Sequence, residues 1–421
     1  MDSFWVLVMA EVGSIIAFLL IALLSSYSKS NLFPKLPPGP KNLPIISTVL
    51  WLRKSTTELE AALRTLRPKF GPIITIRMAS RPFIFICSRS LAHEALVQNG
   101  AIFADRPKAL PTTKILTSNQ HNITSVDSPP FPSQDFSHAR RWVLHTLISH
   151  LGAESASDVP VKVTNHFHFA MFSLLVYIDI EALQHRYLTS LSRFQVLNIW
   201  PSVTYLLLHT QDVLIPHIRA RNDIAAKNLS CYVDTLMTVE LSENIGNTKR
   251  KLSEQEMVMA CSEFFNVGTD TTATALQWIM ANLVKNPQIQ TTLFEGIKEL
   301  IGEQAKEVGE DDLPKLPYLK AIVLEGLRRH PPAHFVLPHA VIQETELGGY
   351  TVPKNAVVNF TIAVIGRDLD VWDDQMKFKP ERFLTEEVDI TVSREIKMMP
   401  FGAGRRMWDN IAYILINISI I

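Results

Sequence analysis

The chain has 421 residues and a mass of 47.5 kDa, with 47% hydrophobic and 19% charged residues. That composition excludes a disordered chain and fits one large globular domain or two ordinary ones. Its 41 basic and 41 acidic residues cancel, so bulk charge carries no nucleic-acid footprint, and no nucleic-acid partner is expected. The three cysteines, Cys87, Cys231 and Cys261, are odd in number and far apart, which argues against a disulfide framework and fits a reducing compartment.

The first predicted element is a membrane span. From Phe4 to Leu24 the sequence is apolar except for Glu11 and the Gly13-Ser14 pair. At about 1.5 Å of rise per residue it covers roughly one hydrocarbon thickness of about 30 Å. Asp2 is the only early charge, so the basic n-region of a cleaved leader is missing. A retained single-pass anchor is expected over 1–27. Lys29, Lys35 and Lys41 follow the span and nothing basic precedes it, which puts the body on the cytoplasmic side. The basic, proline-rich linker expected over 28–41 contains LPPGP at 36–40, a stiff non-helical spacer.

Next, β-branched and aromatic runs broken by a Ser-Arg-Pro turn predict a hairpin over 70–87. From about 91 to 340 the periodicity is mostly helical, and a second β-rich patch follows at 346–365. The expected fold is mainly α with small peripheral β-sheets. The sequence has no GxxxxGK[ST], no GxGxxG after a strand and no HExxH, which removes the commonest nucleotide and zinc sites.

Three constellations carry candidate chemistry. In CSEFFNVGTDTTATALQWIM (261–280), Gly268, Thr269, Asp270, Thr271 and Thr272 interrupt an apolar helical run. Threonine hydroxyls turned back on the preceding turn loosen it, and an acid beside an alcohol suits a proton relay. The alternative is an N-cap starting a new helix. In YLKAIVLEGLRRHPP (318–332), Glu325 and Arg328 are spaced for an ion pair on one helix face. In FKPERF (378–383), Arg382 offers that carboxylate a second cation. The glycine-turned loop MMPFGAGRRMWDN (398–410) follows, with no Cys, His or acid at its centre.

In this order the segments resemble the cytochrome P-450 family of haem-thiolate monooxygenases, most nearly its membrane-anchored plant type. The matches are the anchor with LPPGP, FADRP (103–107), GTDTT (268–272), EGLRRHPP (325–332) and FVLPH (335–339). GGYTVPKN (348–355), IGRD (365–368), FKPERF and PFGAGRR (400–406) complete them. The resemblance implies the P-450 fold over 42–406 and a haem cofactor. It implies electrons from an NADPH-dependent reductase carrying FAD and FMN, a small lipophilic substrate, and an endoplasmic reticulum membrane location. Asp270 and Thr271 would feed protons to dioxygen at the distal face. Glu325, Arg328 and Arg382 would brace the proximal side, and His339 and Arg406 would face the haem propionates. Phe401 and Gly404 would shape the loop that delivers a cysteine thiolate to iron, which favours O–O cleavage.

The sequence departs from this pattern at the ligand itself. Phe401, Gly404 and Arg406 match, but Trp408 stands at the cysteine position and Asn410 at the closing glycine. Tryptophan offers one N–H donor and no anionic atom. Residues 407–421 form an apolar, β-branched tail, and the family pattern is expected to be incomplete at the C-terminus. None of Cys87, Cys231 and Cys261 falls in the haem-loop motif. The family's W-x-x-x-R helix is also missing, since Trp142 is followed by Thr146, and the chain is expected to be shortened near 125–140 and 200–220. Two functions remain: a P-450-type monooxygenase, inactive here for want of its ligand, or a membrane-anchored remnant or splice product without haem chemistry.

Overall fold

The computed structural model describes residues 36–41, 47–48, 50–51, 53–78, 81–108, 211–212, 214–220, 232–238, 240–242, 249–302, 308, 310–385, 388 and 394–407. The expected anchor, the junction near 125–140, Trp142 and everything from Trp408 onward lie outside these residues. Among the described residues no helix is long and apolar enough to cross a membrane.

In chain order the helices are α1 (Thr56–Phe70), α2 (Arg89–His93), α3 (Tyr232–Thr238), α4 (Glu254–Lys285) and α5 (Pro287–Ile301). They continue with α6 (Pro317–Arg329), α7 (Ile362–Ile365) and α8 (Arg382–Thr385). The strands are β1 (Ile73–Met78), β2 (Arg81–Ile86), β3 (Glu240–Ser242) and β4 (Lys249–Lys251), then β5 (His339–Ala340), β6 (Thr345–Leu347), β7 (Tyr350–Val352) and β8 (Val357–Phe360). This is the helical architecture with small sheets that the sequence predicts. The residues fall into two compact units, one taking in those up to Pro107 and from Ala275 onward, the other those between Lys108 and Thr274.

In the first unit, α1 starts at a capping box. The Ser55 hydroxyl accepts from the Glu58 N–H, and the Ser55 N–H donates to the Glu58 carboxylate. The 70–87 segment forms an antiparallel hairpin, with Ile73 opposite Ile86 and Met78 opposite Arg81. β2 then pairs in parallel with β8, and β8 pairs antiparallel with β5, giving a four-stranded sheet of order β1-β2-β8-β5. Sequence-distant segments therefore meet at this sheet, and His339 is placed by β5.

One face of the sheet buries Ile73, Ile84, Ile86, Val358 and Phe360 with Phe103, Met399 and Ala403. Helix α6 has an unbroken buried run from Ala321 to Arg328, as expected of a core helix. Gly326 lets it approach α4, since a Cβ there would sit 2.4 Å from Ile279 Cγ1.

In the second unit, Leu214, Ile218, Leu236, Met257, Val258 and Cys261 form a buried cluster. A second capping box opens α4, where the Ser253 N–H donates to Glu256 and the Ser253 hydroxyl accepts from the Glu256 N–H. Bidentate pairing with Arg250, at 2.7 and 2.8 Å, holds the Glu256 carboxyl down at about 2. Helix α4 runs without a break from Glu254 to Lys285. The GTDTT stretch is therefore interior to one helix, and the N-cap alternative is excluded.

Candidate functional site

The most deeply buried charge cluster in the first unit is built on α6. Their i,i+3 spacing puts Glu325 and Arg328 on one face, and both side chains are fully buried. Arg328 Nε donates to Glu325 Oε2 at 2.6 Å and Nη2 to Oε1 at 2.8 Å. The rest of the guanidinium fork is satisfied by carbonyls, with Nη1 donating to Gly366 O at 2.8 Å and Nη2 to Gln375 O at 3.0 Å. Glu325 Oε1 also accepts from the Lys379 N–H at 2.9 Å. Arg382 closes the group, its Nε 3.4 Å from Glu325 Oε1 and its Nη1 donating to Asp373 O at 2.8 Å. The structure thus brings Glu325, Arg328 and Arg382 together.

The loop from Met398 to Met407 packs into the core, with Met398 and Met399 buried and Phe401 half-buried. Gly402 and Gly404 have φ of 79° and 70°. At Gly404 the requirement is also steric, because a Cβ would lie 1.9 Å from Leu96 O. Leu96 belongs to the π-helical turn Glu94–Gln98. Two residues later, Arg406 Nε donates to Ala104 O at 2.7 Å, fixing the loop to the FADRP segment. From that segment Arg106 Nη1 donates to Leu337 O and Pro338 O, both at 2.9 Å, which holds the approach to β5. Arg106 carries no chemical signal of its own within FADRP, because bonds to the carbonyls of Leu337 and Pro338 leave no signature in residue spacing.

His339 sits between these tethers. Its Nδ1–H donates to Phe103 O at 2.6 Å, which leaves Nε2 with the lone pair. Burial, aided by the nearby Arg106 and Arg406, pushes the imidazole pKa down to about 3. His339 is therefore a neutral, oriented ring, and the positive charge here belongs to the arginines. Asp270 and Thr271 lie on α4 in the other unit, and the Asp270 side chain is outside the described residues.

The described residues fit one part of the implied haem. A loop edge carrying Arg406, with Arg106 close by, suits the carboxylates of a porphyrin. Trp408, two residues beyond Arg406, lies outside the described residues, and its indole nitrogen has no lone pair to give a metal. Cys87 is no substitute, since it is buried with Leu63, Ile74, Phe85 and Val364, in a cluster separate from the one that holds Met399 and Ala403 of the loop.

Two outcomes follow from this geometry. Glu325→Leu removes the carboxylate that Arg328 and Arg382 share and should lower the unfolding free energy by about 3–5 kcal/mol, read from urea denaturation. Removing both members of the closer pair, as Glu325→Leu with Arg328→Leu, should cost less than Glu325→Leu alone, because only one guanidinium then loses its carboxylate. For His339, the folded pKa lies below the ordinary value of 6.5, so its contribution is fully present above 6.5 and is lost as pH falls toward 3. His330 is lowered to about 4 and shares the upper part of that window. The stability difference between the parent chain and His339→Asn should therefore shrink as urea titrations move from pH 7 to pH 4.

The family profile described as Cytochrome P450 matches residues 37–171 and 181–407. Cytochrome P450 89A9 of Arabidopsis thaliana is 41% identical, over 91% of this chain and 85% of that protein. Geraniol 8-hydroxylase of Catharanthus roseus is 29% identical, over 88% of this chain and 82% of its own length. A solved zebrafish cytochrome P450, determined with progesterone, superposes with a TM-score of 0.69 at 21% identity, covering 86% of this chain and 90% of that one. With its ordered motifs, its fold and a match over most of its length, the chain belongs to the cytochrome P450 family.

Proposed function

We propose that this chain carries the scaffold of a P450 monooxygenase and does not itself perform the reaction. The observation behind this is the loop, which keeps Phe401, Gly404 and Arg406 and then has Trp408 where the family supplies its thiolate. In the family, haem supplies oxidative chemistry driven by dioxygen and reductase-derived electrons, and no step of it is assigned to this chain's residues.

In this reading residues 1–27 anchor the chain in the endoplasmic reticulum membrane and 28–41 form the linker. Residues 42–406 are the P450 domain facing the cytoplasm, and 407–421 are foreign to the family pattern. Membrane lipid is then the first partner. The NADPH-dependent flavin reductase and a lipophilic substrate are partners of the active ancestral type. Asp270 and Thr271 keep the residue types of a distal proton relay, while Arg406 and the neutral His339 keep a porphyrin-edge pocket.

The test is the reduced carbon monoxide difference spectrum of the full chain in detergent, loaded with hemin. The absorption band that gives the family its name should be absent from the parent chain. Its clear presence there would refute the reading. Trp408→Cys, which restores the sulfur, is the gain-of-signal control.

A further inference from the structure

Trp372 touches both the ion network and the loop, and the sequence assigns it no part in either. Its ring is only 4% exposed. Arg328 Cζ lies 5.2 Å and Arg382 Cζ 5.9 Å from the ring centroid, both within cation–π reach. At its edge, Nε1–H donates to Lys397 O at 3.3 Å. The ring also shares an apolar cluster with Leu324 of α6 and Met398 of the loop, while Phe383 of α8 packs at 5.6 Å.

Charge balance explains why an aromatic belongs here. Two guanidiniums meet one carboxylate, so the buried group carries a surplus positive charge. Carbonyl oxygens take up part of it, yet Arg382 Nη2 is buried without a hydrogen-bond partner among the described residues. A π face beside that guanidinium supplies negative potential where no acceptor oxygen is found. The indole N–H, meanwhile, fixes the carbonyl immediately before Met398, where the loop begins.

We propose that Trp372 is a positioning residue that couples the Glu325–Arg328–Arg382 network to the Met398–Met407 loop, its ring face holding the arginines and its N–H setting where the loop starts. The coupling is a property of the folded chain and goes beyond the proposed function, since it holds whether or not the loop binds a porphyrin. A Trp372 that merely filled the core would tolerate Phe uniformly, with no segment-specific effect.

Hydrogen exchange on the full chain in detergent separates the two roles, using Trp372→Phe and Trp372→Leu. The Phe variant keeps a π face and loses the N–H. Protection of the loop amides of Gly402 and Met407, which bond to Met399 O and Gly404 O, should fall about tenfold. Amides of 321–329 in α6 should stay within about twofold of the parent. The Leu variant loses both contacts, and both segments should lose protection. The proposal is overturned if Phe leaves the loop at parental protection, if Phe loosens loop and helix equally, or if Leu leaves α6 unchanged. Should the Leu variant fail to fold, the segment-selective response of the Phe variant decides alone.

Discussion

One buried carboxylate organises the C-terminal half of the first unit. Glu325 is fully buried, and ionised it would be unaffordable there without compensation. It receives two bonds from Arg328, one from the Lys379 amide and the charge of Arg382. Arg328 in turn holds the carbonyls of Gly366 and Gln375. A single helix turn thus gathers the turn after α7, the segment leading to α8, and α8 itself. These stretches have little regular structure of their own, so their course depends on polar bonds to α6 more than on ladders or helix propensity. The same dependence makes the group intolerant of losing one partner.

The loop that follows is held by contacts that do not involve its ligand position. Gly404 is pressed on the Leu96 carbonyl, Arg406 is bonded to Ala104 O, and Met399 and Ala403 are part of the sheet-packed core. Each is complete before Trp408 is reached. In the proposed reading, a change at that position leaves the shape of the loop supported while removing the atom its chemistry needs, so scaffold and reactivity rest on different residues.

Parts of this were legible in the sequence for specific reasons. The 70–87 hairpin showed in its β-branched runs and proline turn, and the Glu325–Arg328 pair showed in helical spacing. FKPERF offers Arg382 to that carboxylate as a second cation, but its placement needs the fold, since only the packing of the 366–382 segment brings it there. The GTDTT stretch was ambiguous because poor helix formers mark both a loosened turn and an N-cap; only the continuous α4 decides it. The neutral state of His339 was hidden, since it follows from burial and from the carbonyl of the distant Phe103. Trp372 left no signal because stacking on guanidiniums imposes no residue spacing.

The central claim is that this chain keeps a P450 loop through Arg406 and supplies no thiolate beyond it. Electron paramagnetic resonance of the hemin-loaded ferric full chain examines the iron's ligand directly. The account predicts no low-spin signal of a thiolate-ligated haem. Such a signal in the parent chain, with Trp408 in place, would contradict it.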